Sequence, residues 1–313
     1  MKRLVAVVGP TASGKSQLAL ELSKNFSGEI INADSRQIYR HMDIGTAKPN
    51  RDELSLIRHH LIDLINPDES FGLALYQRLA FKSIRDILTR KNLPFIVGGS
   101  GLYVWSVLEG WKIPLVPPNS ELRRALEEKA EKNGGHALFQ ELQRIDPLAA
   151  TKILPGNVRR IIRALEIFQK TGRPASELWK KQKPPYDILI LGLTAKRHEL
   201  YSRIDSRVDE MINNGLIDEV KALLARGYGL DLPSMSGIGY KQIAMFLEGR
   251  IELKVAIEHI KTETHRLARH QYAWFRLSDP RIHWLNESGD LFKEGADLIN
   301  SFLAGSTKQV AQS

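Results

Sequence analysis

The stretch Val5-Ala-Val-Val-Gly-Pro-Thr-Ala-Ser-Gly-Lys-Ser16 leaves a chain few ways to fold. An apolar run ends in a loop bounded by Gly9 and Gly14, and Lys15 and Ser16 begin the segment that follows. Gly9, Pro10, Thr11, Ala12, Ser13, Gly14, Lys15 and Ser16 satisfy the phosphate-loop pattern G-x-x-x-x-G-K-[ST] without exception. Such a loop works only between a strand and a helix. Its glycines let backbone N–H groups turn inward onto phosphate oxygens, and the helix N-terminus adds partial positive charge. Lys15 is expected to neutralise the outer phosphate and Ser16 to hold Mg²⁺. The pattern recognises phosphates, and it does not specify adenine.

The surrounding sequence agrees with that placement. Residues 4–8, 29–32, 94–99 and 187–193 read as short buried strands, with 282–285 as a possible fifth. Residues 15–24 and 73–90 read as helices. Apolar strands alternating with helices predict an α/β fold, a P-loop NTPase-like parallel sheet covered on both faces. Proline pairs bracket a segment of helical pattern, so residues 116–186 are expected to form a helical insertion between core segments 1–115 and 187–313. A helix after the insertion carries Leu200, Ile204, Val208, Met211 and Ile212 on one stripe. The tail, 305–313, reads as frayed.

Composition removes several chemistries. With no cysteine there is no disulfide, no thiolate zinc site and no thiol nucleophile. The five apolar residues after Met1-Lys2-Arg3 are too few for a signal segment, and no run reaches membrane-spanning length. The chain therefore reads as a cytoplasmic protein, intact from Met1 and expected to be monomeric. The net charge of +9 is unevenly spread: residues 157–183 hold eight Lys/Arg against two Glu, a local excess of +6. Such a cluster suits either a polyanionic partner or a well-solvated basic face. His59 and His60 are adjacent, project to different sides and lack an evident third ligand, so no metal site is expected there.

Nucleotide-hydrolysing P-loop enzymes add a carboxylate at a neighbouring strand end. Here the strands end in "IVGGSG" and "LILGLT", and only the second strand delivers one, Asp34 in "NADSRQIY". This favours transfer chemistry on a bound diphosphate over a hydrolytic motor. Asp34 also suits an N-cap, with Gln37 reaching back in a capping box, and the two roles can coexist. In "VGGSGLY" a strand runs into Gly98, Gly99 and Gly101, which permits close backbone approach to a ligand, with Ser100 adding a hydroxyl. An ordinary strand-to-helix turn would have the same composition.

Taken together, "GPTASGKS", "NADSRQIY", "DIGTAKP", "HHLID", "VGGSGLY", "NVRRIIRALEI", "GIGYKQ" and "QYAWFR" resemble the bacterial tRNA dimethylallyltransferases, in the family's order and over nearly the whole chain. The resemblance implies transfer of a dimethylallyl group from dimethylallyl diphosphate to N6 of the adenosine 3′ to the anticodon, position 37. The phosphate in the loop would then be a leaving group. By position, Asp34 matches the general base, Lys15 and Arg207 match cations that meet the diphosphate, and Ser100, where the family usually has threonine, keeps the catalytic hydroxyl that contacts the base or the diphosphate. Gln37 is expected from the resemblance to hydrogen-bond the target adenine, and Asp34, Ser35 and Arg36 fall with it in a tRNA-binding segment. Arg159, Arg160, Ile161, Ile162 and Arg163 fall in the tRNA-binding R-x-x-R-A-L-E segment, with Arg123 a further candidate. Ser236, Gly237, Ile238, Gly239, Tyr240 and Lys241 form a second RNA-facing segment. Trp274 and Phe275 read as core rather than stacking platforms. The chain departs from the family pattern at Arg58, Gly72, His270 and Ala273.

Three other readings share some features. A small-molecule P-loop kinase would share the loop, the sheet and a lid-like insertion. An adenylate-type isopentenyltransferase would share the chemistry. Neither accounts for the basic segment or for "GIGYKQ". A non-catalytic RNA-binding protein leaves Lys15, Ser16 and Asp34 without a role.

Overall fold

The computed structural model describes residues 2–285 and 289–305; the predicted frayed tail, apart from Gly305, lies outside the described residues. The chain opens with β1 (Arg3–Val8), α1 (Lys15–Asn25), β2 (Gly28–Asn32), α2 (Arg51–Leu56), β3 (His59–His60), α3 (Leu73–Thr89), β4 (Leu93–Gly98) and α4 (Gly101–Leu108). There follow β5 (Trp111–Lys112), α5 (Ser120–Asn133), α6 (Gly135–Ile145), α7 (Pro147–Ala150), α8 (Val158–Thr171), α9 (Ala175–Leu178) and β6 (Lys180–Lys181). The chain ends with β7 (Asp187–Gly192), α10 (Arg197–Asn213), α11 (Leu216–Ala225), α12 (Tyr240–Leu247), α13 (Leu253–Trp274), β8 (Ile282–Trp284) and α14 (Leu291–Leu303).

Two compact units result. The first comprises residues 1–71, 76–105 and 185–313, and the second residues 72–75 and 106–184. The second unit thus begins before the proline pair that suggested a boundary near 116.

The first unit is built on a six-stranded sheet in the order β3-β2-β4-β1-β7-β8, parallel at every pairing. Its inner strands are apolar without alternation, because helices cover both faces and no side faces water. Val5, Val7, Phe95, Leu189 and Leu191 pack on one face with Leu18 and Leu22 of α1 and with Ile299 and Phe302 of α14. A second cluster joins Leu200, Ile204 and Val208 of α10 to Leu216 and Val220 of α11, Tyr240 and Ile243 of α12 and Ile260 of α13.

The sheet contains one strand absent from the sequence reading. His59 and His60 form β3, which pairs with Ile30 and Ile31. His60 Nε2 lies 2.7 Å from Glu29 Oε2, and the Glu29 carboxylate also accepts from Arg90 Nε at 2.8 Å, Arg90 Nη2 at 2.7 Å and Asn92 Nδ2 at 2.8 Å. Although burial opposes its charge, the donors win and hold the Glu29 carboxyl down at about 2.

The second unit is helical around Leu138, Leu142, Ile161, Ile162 and Leu165. Its centre is an ionic staple. The buried Glu166 carboxylate accepts Asn119 N–H at 2.7 Å and a two-pronged contact from Arg123, Nε at 2.9 Å and Nη2 at 2.8 Å. Arg163 Nη1 joins the same carboxylate, and its Nη2 donates to Val116 O at 3.0 Å. The strands β5 and β6 pair antiparallel, Trp111 with Lys181 and Lys112 with Lys180.

Candidate functional site

β1 delivers the phosphate loop, and local geometry shows why its residues are those of the pattern. Gly9 has φ of 151°, and a Cβ there would lie 2.3 Å from Leu193 O, so no larger residue fits against β7. Helix α1 begins at Lys15 behind Gly14, which caps it without a side chain, so the first-turn N–H groups have no capping oxygen. Lys15 Nζ donates to Pro10 O at 3.1 Å. Burial pulls the Lys15 ammonium down to about 8, with Asp34 opposing the shift and Arg207 adding to it. The Ser13 hydroxyl is buried with no hydrogen-bond partner among the described residues.

β2 delivers Asp34. Asn32 holds its backbone from both sides, accepting Asp34 N–H at 2.9 Å and donating to Asp34 O at 3.0 Å. Asp34 Oδ1 accepts the Arg36 N–H at 2.8 Å, which turns the chain. The capping box expected from Asp34 to Gln37 does not form, because residues 35–38 make turns rather than a helix. Gln37 instead donates Nε2 to Thr46 O at 3.2 Å and Ala47 O at 2.9 Å, so its amide is locked by the "DIGTAK" loop. Arg36 donates Nη1 to Pro233 O at 2.8 Å.

β4 delivers the glycine turn. Ser100 Oγ accepts the Ser35 N–H at 3.0 Å, so this hydroxyl ties the turn to the aspartate loop. At Gly101 a Cβ would lie 2.2 Å from the Trp274 ring. Phe275 is fully buried, whereas Trp274 is 37% exposed and walls a cavity, which corrects the expectation that both belong to the core.

Gln271 of α13 is a residue that sequence reasoning passed over. Its Oε1 accepts the Thr11 N–H at 2.7 Å and its Nε2 donates to Gly99 O at 3.0 Å, so one amide bridges the phosphate loop and the glycine turn. "QYAWFR" marked the segment, but nothing in the sequence showed that the amide reaches two loops. Arg207 of α10 donates Nη1 to the Thr11 hydroxyl at 3.2 Å, and burial lowers its pKa. Glu219 of α11 was also passed over. It accepts Asp43 N–H at 2.9 Å, Ile44 N–H at 2.8 Å and Gly45 N–H at 3.2 Å, and Tyr240 O–H at 2.6 Å.

Two cavities meet here. The larger, about 460 Å³, is walled by Ser35, Arg36, Gly99 to Tyr103, Ser236, Ile238, Gly239 and Trp274 among others. The smaller, about 130 Å³, is walled by Lys15, Ser16, Asn32, Gln37, His59 and Val97. Thr11, Asp34, Thr46 and Arg207 belong to the walls of both. The exposed Ser16 hydroxyl and the Asp34 carboxylate bring hard oxygen donors to the walls of the smaller cavity, which suits Mg²⁺.

Several expected RNA-facing residues are otherwise engaged. Ile161 and Ile162 are 0% and 3% exposed, so their side chains serve the core of the helical unit. Arg123 and Arg163 are spent on buried Glu166, and only Arg159 and Arg160 of that segment stand exposed. Tyr240 is buried on Glu219, leaving Lys241 exposed beside it. Gly237 is buried, while Ser236 is exposed at the larger cavity.

Comparison with known proteins places this geometry. The family model described as IPP transferase matches residues 37–278, and one described as isopentenyl transferase matches residues 2–66. A tRNA dimethylallyltransferase of Roseiflexus castenholzii is 54% identical, over 95% of this chain and 97% of that protein. One from Dehalococcoides mccartyi is 49% identical, over 98% of this chain and 94% of that protein. The crystal structure of a full-length tRNA isopentenylpyrophosphate transferase of Bacillus halodurans matches with TM-score 0.71 and 42% identity, over 98% of this chain and 97% of that one. A eukaryotic dimethylallyltransferase acting on tRNA matches with TM-score 0.85 and 28% identity, over 99% of this chain and 82% of that one.

Proposed function

The chain belongs to the IPP transferase family, and from that premise we propose that it transfers a dimethylallyl group from dimethylallyl diphosphate to N6 of adenosine 37 in tRNA. The products are N6-dimethylallyladenosine and diphosphate. The observation that carries this reading is the shared wall: Asp34 and Arg207 border both a roomy cavity and a small one beside the phosphate loop. A base extruded from its stack suits the first, and the diphosphate end of the donor suits the second, beside Lys15 and Ser16.

The N6 amine is a poor nucleophile because its lone pair is delocalised into the ring. Asp34, aimed by Asn32 and by its own Arg36 N–H contact, takes a proton from N6 as nitrogen bonds to C1 of the dimethylallyl group. The C1–oxygen bond breaks, and its electrons leave with diphosphate. Lys15, Arg207 and the first-turn N–H groups of α1 receive that growing charge. Ser16, at the wall of the smaller cavity, would hold Mg²⁺, which supplies further charge neutralisation at the diphosphate. Ser100 and Gln37 act at one remove: the first fixes Ser35, and the second is locked to the carbonyls of Thr46 and Ala47.

Arg159, Arg160 and Lys241, exposed and unlike Arg163 not spent on Glu166, are the cations we assign to tRNA phosphates. The enzyme acts on tRNA in the cytoplasm as a monomer in this reading. The deciding experiment mixes protein, Mg²⁺, labelled dimethylallyl diphosphate and unmodified tRNA, with ATP and small metabolites in the control arm. Label entering RNA supports the transferase. Consumption of ATP without labelled RNA overturns it.

A further inference from the structure

Helices α10 and α13 wall the larger cavity with residues such as Ile204 and Arg207 on one and Thr264 and His270 on the other. Their neighbouring outer residues carry many charges, and most are paired. Arg203 meets Glu199 at 3.9 Å, Lys261 meets Asp209 at 2.8 Å, and Arg266 meets Glu263. Arg197 and Arg269 differ. Among the described residues neither forms an ion pair, yet both converge on one oxygen: Arg269 Nη1 donates to the Tyr201 hydroxyl at 2.6 Å and Arg197 Nε at 3.3 Å.

The phenol is itself held in place. The Tyr201 ring lies flat on His265, with centroids 4.0 Å apart and planes 4° from parallel, and His265 Nε2 sits 2.8 Å from Asp205 Oδ1. Arg197 also lies over the Tyr201 ring, 5.2 Å from its centroid. Two guanidinium groups that repel each other are thus brought onto one phenol oxygen, with no carboxylate in ion-pair contact with either among the described residues. A phosphate oxygen suits that gap, because a guanidinium presents paired N–H donors to it.

We propose that Arg197, Arg269 and Tyr201 form a binding site for a backbone phosphate of the RNA strand whose extruded base occupies the larger cavity. The site rests on the reading of the chain as a tRNA-modifying enzyme and adds a contact that its phosphate-loop chemistry does not require. It lies on the two helices that wall the cavity, so a strand placing one nucleotide inside brings a neighbouring phosphate past them. Its role is to fix the register of the strand.

The test titrates salt against tRNA affinity for wild type, Arg197→Ala, Arg269→Ala and the double variant. Arg266→Ala, an exposed arginine already paired, serves as the charge control. The site predicts that the double variant binds tRNA about ten- to a hundredfold more weakly and lowers the slope of log K against log salt by about 1. Tyr201→Phe should weaken binding in the same direction by a smaller factor, because it releases both guanidinium groups from their anchor. An unchanged slope in the double variant, or an equal loss in Arg266→Ala, overturns the proposal. The other phosphate source is the donor: a raised KM for dimethylallyl diphosphate at saturating tRNA, with tRNA affinity intact, also overturns it. If wild type does not label tRNA at all, the functional reading fails instead, and the two failures are distinguishable.

Discussion

Asp34, the base we propose, has its backbone fixed on both sides and needs no further partner to aim it. Asn32 brackets it, and one carboxylate oxygen is spent on the Arg36 N–H. Asp34→Ala removes the proton acceptor while leaving the bracket, so the rate with saturating tRNA should fall about 10²- to 10⁴-fold with tRNA affinity nearly unchanged. Single-turnover labelling beside a binding isotherm checks this. Near-wild-type turnover would remove Asp34 from the chemistry. Lys15 gives a second prediction at this scale. Its pKa of about 8 means that the free enzyme carries this charge below that pH and sheds it above. In the proposed reaction the donor diphosphate needs the charged form, so its KM should stay flat up to about pH 8 and then rise about tenfold per unit. Lys15→Arg, whose charge persists, should flatten the rise, and a wild-type profile already flat to pH 9.5 would refute the assignment.

At the scale of elements, the staple on Glu166 joins α5 to α8 through Arg123, and Arg163 of α8 ties the same carboxylate to Val116. Removing its carboxylate strands two guanidinium groups and the Asn119 N–H, so Glu166→Ala should destabilise the helical unit by about 3–5 kcal/mol. Thermal melts should show a lower or split transition, and hydrogen exchange should rise across 106–184 before it rises in the sheet. This element also shows what a sequence can and cannot reveal. The alternation of Ile161, Ile162 and Leu165 with Arg159, Arg160 and Arg163 made the helix and its inward face legible. That Arg163 turns onto a buried glutamate three residues along was not legible, because an ion pair in a core leaves the same letters as a basic surface. The inner strands were readable from their unbroken apolar runs. The two-residue strands β3, β5 and β6 carry no such run, and they form only because neighbours offer unpaired backbone. The phosphate loop declared itself through its glycines. The bridges made by Gln271 and Glu219 did not, since each reaches across more than a hundred residues of chain.

For the whole molecule, Glu29 links sheet stability to pH. It gathers His60 of β3, Arg90 and Asn92 onto the start of β2, and its carboxyl is held near 2, below the ordinary value of about 4.3. A depressed carboxyl stabilises the fold above the unfolded-state value and loses that contribution as pH falls toward the native one. The loss should therefore occur between about pH 4.5 and pH 2 and amount to roughly 3 kcal/mol. Glu29→Gln should lower Tm at pH 7, and the gap from wild type should close as pH approaches 2. A gap constant across that window would assign the cluster to packing rather than charge. The pairing of β5 with β6 has a consequence for grafting. Since Trp111 meets Lys181 and Lys112 meets Lys180, the two ends of the helical segment between them are clasped side by side. Everything between those rungs is a cassette: a relative's intervening segment, grafted at Lys112 and Lys180, should fold on this base.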